Sequence, residues 1–104
     1  MPYRLVLSTI NDRNQAERLA TTLLQDCLVA CVNILGLLVS LYRWEGNIER
    51  DEEYLLLMKT TANREAALMA RVQELHPYEV PELLCISIES GASAYLQWLA
   101  ASVQ

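Results

Sequence analysis

Glycine and proline are scarce, three of each in 104 residues, which excludes collagen-like and low-complexity chains. The three cysteines, Cys27, Cys31 and Cys85, are an odd number with no short-spaced framework, so no disulfide pattern is legible. There is one histidine and neither a Cys-x-x-Cys nor a His-x-x-x-His, which leaves a one-chain zinc site without ligands. Gly-x-Ser-x-Gly is absent, so no serine is nominated as a nucleophile beside that histidine. Basic residues are few and scattered singly from Arg4 to Arg71, eight against 13 acidic for a net charge of −5. No stripe can track phosphates and no basic cluster can sit on an anionic membrane, which argues against nucleic-acid and membrane-surface partners. The longest apolar stretch, Leu28 to Leu41, is broken by Asn33, Gly36 and Ser40 and falls short of the roughly 20 residues that cross a bilayer.

What is present is apolar mass. Hydrophobic residues make up 53% of the chain and charged residues 20%, too apolar for disorder and high for a single small domain, residues 1–104, whose surface is large for its volume. Part of that excess is expected to meet another subunit. The unpaired thiols, the missing Asn-x-Ser/Thr acceptor and an N-terminal segment unlike a secretory leader together lead to an expectation of cytoplasmic residence.

Residues 3–10 are short and β-prone, a buried strand. Ala16, Leu19, Ala20, Leu23, Leu24 and Cys27 then recur at helical spacing, with Asn11 or Asp12 placed to cap them. Val29 to Trp44 is rich in Val, Ile, Leu and Tyr, with Gly36 as a bend or bulge. Glu45-Gly46-Asn47 is a tight turn, and Ile48 to Thr60 returns, so this stretch reads as a long hairpin. Its acidic end, Glu49, Asp51, Glu52 and Glu53, reads as a solvated tip, and the segment from Tyr54 to Met58 as covered on both faces. A second helix is expected over 63–75, capped by Asn63 and ended by Pro77. His-Pro-Tyr-Glu-Val-Pro-Glu, residues 76–82, is a stiff extended connector because two of its members precede proline. Leu83 to Ile88 forms a last strand, and Gly91 leads to a short helix with Tyr95, Leu96, Trp98 and Leu99.

The order βαββαβ plus a terminal helix is that of an α+β, ferredoxin-like fold: an antiparallel sheet, both main helices on one face, the other face bare. An apolar bare face and arms longer than the core can pair call for closed association with further copies, two or three.

Of the residues able to carry chemistry, His76 alone titrates near neutrality, and it lies in the connector with Tyr78, Glu79 and Glu82 nearby. Cys27, Cys31 and Cys85 read as free thiols packed in apolar surroundings. Trp44 beside the turn reads as an anchor where hairpin meets neighbour. Lys59, in an apolar strand end, needs a partner, and a carboxylate from the connector or a neighbouring chain would serve.

Several ordered blocks resemble the CutA1 family, named for divalent-cation tolerance: Ala30-Cys31-Val32-Asn33-Ile34, Tyr42-x-Trp44-Glu45-Gly46-x-Ile48, Leu57-Met58-Lys59-Thr60-Thr61, the connector 76–82, and Tyr95-Leu96-x-Trp98-Leu99. The likeness spans almost the whole chain. It implies a ferredoxin-like homotrimer joined through the hairpin strands, related in architecture to PII signalling proteins, cytoplasmic, and linked to tolerance of copper and other divalent metals. Ser8 and Leu75 stand where some bacterial relatives carry Cys and His, which leaves His76 as the soft ligand of that set.

Two functions are therefore expected. The first is a non-enzymatic metal-response trimer with no required cofactor, binding Cu(II) or another divalent cation weakly through His76, Glu79 and Glu82. The alternative is a PII-like sensing or scaffold trimer. Its intersubunit cleft, lined by Cys31, Asn33, Trp44, Lys59, His76, Tyr78 and Glu82, would take a small anionic ligand or a protein partner.

Overall fold

The computed structural model describes residues 2–104. Strand β1 (Tyr3–Ile10) leads to helix α1 (Arg13–Gln25); β2 (Cys31–Trp44) and β3 (Asn47–Thr61) follow. A short 3-10 turn (Ala62–Arg64) opens into α2 (Glu65–Leu75), then come β4 (Leu84–Ile88) and α3 (Ser93–Ser102). The four strands form one antiparallel sheet in the order β2-β3-β1-β4, the α+β, ferredoxin-like arrangement with the two edges formed by β2 and β4.

Cross-strand partners share a face, and this sorts the side chains. Val6 and Ser8 lie opposite Met58 and Leu56, on the side where α1 contributes Ala16, Leu19 and Leu23 and α2 contributes Leu68 and Val72. That is the core. On the opposite side Leu7 sits between Leu57 and Leu84, and Leu5 between Lys59 and Ile86. No main helix covers this side; α3 packs only over its end, through Leu99 and Val103 against Tyr3 and Ala30. Leu84 and Ile86 are therefore exposed, as is Leu35 farther along β2.

The hairpin extends beyond the helices and gives the molecule its 44 × 26 × 23 Å shape. Its pairing carries one extra residue on β2 between Leu35 and Leu38. Such a bulge reverses the alternation of its strand, so Cys31, Asn33 and Leu35 share the uncovered face with Ser40, Tyr42 and Trp44 beyond it. Gly36 is required there: a Cβ would lie 2.6 Å from Cδ1 of Tyr54 and 3.0 Å from the Glu53 carbonyl oxygen. The turn from Trp44 to Asn47 has both central residues at positive φ, 49° at Glu45 and 82° at Gly46, the two-residue type that matches strand twist.

The first helix begins as expected, Asp12 accepting from the Gln15 amide at 2.9 Å. Its apolar stripe ends earlier than the spacing implies. Leu24 is exposed, and Cys27 lies outside the helix, exposed, with φ 56°. The Leu28 amide bonds the Leu23 carbonyl at 3.0 Å and the Cys27 amide bonds that of Leu24 at 3.1 Å, a Schellman closure with Cys27 at the position glycine usually holds. A β-carbon there is strained, so Cys27→Gly is expected to raise stability by about 1 kcal/mol in urea unfolding. An unchanged or lower midpoint would contradict that reading of the turn.

Two further expectations are corrected. Asn63 does not cap the second helix; it lies inside the 3-10 turn, and α2 starts at Glu65 after Arg64 without a side-chain cap. The acidic segment is not uniformly a solvated tip either: Glu49 and Glu52 are exposed, but Glu53 is buried. Cys85 does pack against the core, part-buried, and burial pushes its thiol pKa up.

Candidate functional site

The connector leaves α2 at His76; two hydrogen bonds tie it to the sheet and a third braces it internally. The His76 ring, 7% exposed, lies with Nε2 2.8 Å from the Thr9 carbonyl oxygen. Its Nδ1 accepts from the Tyr78 amide at 3.1 Å, which assigns the proton to Nε2. Tyr78 turns its ring edge-on to that imidazole, centroids 4.6 Å apart, and its hydroxyl donates to Oε2 of Glu53 at 2.8 Å. The imidazole is thus held neutral. Burial drives its pKa below the ordinary value, against the opposing effects of the Thr9 hydrogen bond and the Glu53 charge.

Glu53 is the anionic end of this chain of bonds. It is 5% exposed, and a carboxylate so placed needs hydrogen bonds in place of water. Tyr78 supplies one. The phenol in turn has its pKa pushed strongly up, first by burial and then by the Glu53 bond and charge, so it remains a donor. Two positions along the same face, the Tyr42 hydroxyl donates to Oδ2 of Asp51 at 2.6 Å, and this bond with the surrounding carboxylates raises the Tyr42 pKa to about 12.

Between the hairpin arm and the connector lies an open groove of about 820 Å³. Tyr42, Trp44 and Tyr78 give it aromatic surface; Glu53, Glu79 and Glu82 give it negative charge; no Arg, Lys or His lines it. Glu79 and Glu82 are exposed at its rim, and His76 sits behind Tyr78, outside the lining.

Within one protomer the residues singled out from the sequence fall in two places. Trp44, Tyr78, Glu79 and Glu82 line the groove, with His76 behind it. Cys31, Asn33 and Lys59 form a second polar cluster lower on the uncovered face. There the Lys59 ammonium donates to Oδ1 of Asn33 at 2.6 Å and lies 5.8 Å from the Tyr95 ring centre, with the Cys31 sulfur 3.9 Å from the same Asn33 oxygen. Lys59 forms no ion pair with a carboxylate among the described residues. Nor, among the described residues, do three or more His, Cys, Asp or Glu side chains converge to hold a metal ion. Ser8, on the core side of β1, is fully buried and its hydroxyl has no partner among the described residues.

Sequence reasoning missed Glu53 and the Thr9 carbonyl. Strand periodicity carried a signal for the first: Glu53 keeps step with Leu55, Leu57 and Lys59 on β3, which places it on the face the connector crosses.

Comparison with known proteins gives a consistent result. A family model described as the CutA1 divalent ion tolerance protein matches residues 4–102. The chain is 44% identical over 95 residues to the divalent-cation tolerance protein CutA of Thermus thermophilus, covering 91% of this chain and 92% of that one. Among solved structures, CutA from Xylella fastidiosa superposes with a TM-score of 0.97 at 38% identity over the full length of both chains. CutA from Archaeoglobus fulgidus, described as a periplasmic divalent cation tolerance protein, superposes at 0.94 with 33% identity, covering 98% of this chain and 99% of that one.

Proposed function

The chain belongs to the CutA1 divalent ion tolerance family, and from that premise we propose that it acts as a cytoplasmic homotrimer that helps a cell withstand excess copper and related divalent cations. The observation carrying the assembly is the uncovered, leucine-rich sheet face flanked by two unpaired edge strands, with Leu35, Leu37, Val39, Leu41 and Ile48 exposed along the arm. Such surface is a liability in a lone protomer and a resource in a closed one. Free thiols at Cys27, Cys31 and Cys85 suit a reducing compartment, and no helix among the described residues is long and apolar enough to cross a membrane.

Metal contact in this reading is weak and runs through His76 with Glu79 and Glu82. Coordination at Nδ1 of His76 has to displace the Tyr78 amide, and the two carboxylates at the rim are not gathered beforehand into a coordination shell. Both features keep affinity low. The role in this reading is non-catalytic, which accords with both ring nitrogens of the one imidazole being engaged with backbone.

Growth of a bacterium lacking its own homologue on graded copper sulfate tests this reading. The wild-type chain is expected to restore growth, and the double variant Glu79→Gln/Glu82→Gln, at two exposed positions, to restore less than half of it. Absence of rescue by the wild type removes the tolerance role; equal rescue by the variant removes direct contact of those carboxylates with metal.

A further inference from the structure

We propose that the cavity between α1 and the junction of α2 with the connector binds a small monocarboxylate with an apolar body, the Arg18 guanidinium serving as its counter-ion and the Gln15 side-chain amide as a second donor. The site lies on the helix side of the sheet and is independent of the metal reading.

The cavity has a volume of about 250 Å³. Helix α1 lines it with positions 15, 18, 19 and 22, which recur at helical spacing and so share one face. Buried Ile10 and Leu19 give it an apolar floor, and Leu75 and Pro77, both exposed, add apolar surface from the end of α2. Neither the hairpin nor the uncovered sheet face contributes to the lining, so the association argued above does not draw on these residues. Both sides are held before any ligand arrives. Asp12 caps α1 through the Gln15 backbone amide at 2.9 Å, and the His76 ring beside Pro77 is tied to the Thr9 carbonyl at 2.8 Å. A preformed apolar recess with a few polar groups at its edge is the usual form of a small-molecule site, and fixing it in advance lowers the cost of binding.

The charge at this recess is unanswered. Among the described residues the other arginines on the helices have partners: Arg13 pairs with Glu17 at 3.4 Å, Arg71 with Asp26 at 3.1 Å and Glu74 at 3.2 Å, and Arg64 donates to the Val103 carbonyl at 2.9 Å. Arg18 has no ion pair and its guanidinium no acceptor among the described residues, although the chain carries 13 acidic side chains. None of those acids lines the cavity.

Donor chemistry then selects the ligand. The Thr22 hydroxyl is spent on the Arg18 carbonyl at 3.0 Å, which leaves the guanidinium and the Gln15 amide as the side-chain donors of the lining. A planar guanidinium matches a carboxylate in two parallel hydrogen bonds. One positive charge with no second basic residue in the lining balances a monoanion, and a phosphate or dicarboxylate would keep excess charge in a protein of net charge −5. The apolar floor packs the rest of the molecule.

Nuclear magnetic resonance titration of the intact protein with sodium benzoate, against the neutral isostere benzamide, tests the assignment. Benzoate is expected to move the Gln15 side-chain amide and Arg18 Nε–H signals saturably, with a dissociation constant on the order of 1 mM for so small a ligand. Affinity should fall at least fivefold in Arg18→Gln and in Leu75→Asp, which sets a like charge at the recess, and stay unchanged in Arg13→Gln, outside the lining. Both recess positions are exposed, so the variants are expected to keep the wild-type fold by circular dichroism. Shifts that do not saturate, equal affinity for benzamide, or wild-type affinity in Arg18→Gln overturn the proposal.

Discussion

The wild type is expected to sediment as a trimer, and Ile86→Asp to leave a folded monomer whose melting temperature is lower and independent of concentration. The expectation rests on where Ile86 stands. It lies on the edge strand β4, opposite Leu5, 47% exposed, on the face that neither main helix covers. Within a single protomer a substitution at such a position typically changes stability by no more than about 0.5 kcal/mol. In an assembly that covers the face, the same aspartate becomes an unpaired buried charge in every subunit, at a cost of several kcal/mol each. The two regimes differ enough to separate cause from consequence: intact secondary structure with lost association locates the effect between chains. The wild type, in contrast, should melt at higher temperature as concentration rises, since its folding and association are linked. A wild-type monomer at micromolar concentration, or an aspartate variant that sediments like the wild type, would defeat the assembly argument.

The uncovered face was legible from the sequence because it depends only on element order and period. Once βαββαβ is recognised, both helices must fall on one side, and Leu5, Leu7, Leu55 and Leu57 alternate onto the other without further information. What period could not supply is the phase of β2 beyond Gly36. One extra residue there decides whether Tyr42 and Trp44 or Leu41 and Arg43 join Glu53 on a common face, and the bulge is set by the close approach of Gly36 to Tyr54, a contact between strands. The end of the first helix was similarly hidden. Cys27 continues the helical spacing, but the Schellman bonds of Cys27 and Leu28 reverse the chain before it, at the cost of a left-handed β-carbon.

The candidate site shows the same division. Its connector was readable because proline restricts its own and the preceding residue, and His76, Tyr78, Glu79 and Glu82 were named on that basis. Glu53 was placed at a solvated tip because it ends an acidic run, and composition along a chain says nothing of what crosses above it. Tyr78 crosses above it, and that contact joins residues 25 positions apart. The grouping of Cys31, Asn33 and Lys59 with Tyr78 and Glu82 depended on subunits meeting; a protomer by itself holds the two sets apart, one around Oδ1 of Asn33 and one around the groove.

Acidification should destabilise the protein through His76, and replacing that residue should flatten the response. In the folded chain the ring is neutral by construction: Nε2 donates to Thr9, Nδ1 accepts from the Tyr78 amide, and a second proton on Nδ1 would face an N–H donor. Burial lowers its pKa further below the ordinary 6.5. Above the unfolded pKa both states are neutral and this contribution is fully present. As pH falls below about 6.5 the unfolded chain takes up a proton that the folded chain refuses, so unfolding becomes favoured, and the loss continues until the folded pKa is reached. Urea midpoints measured from pH 7.5 to 5 should therefore decline in the wild type. His76→Ala should cost about 3 kcal/mol at pH 7.5, from the two backbone groups it orphans and the cavity it leaves, and its residual dependence on pH over the same window should be shallower. Tyr78→Phe, which keeps the imidazole bonds but deletes the phenol, should retain the wild-type slope while lowering every midpoint. A His76→Ala variant with the full wild-type slope would place the titrating group elsewhere in the chain.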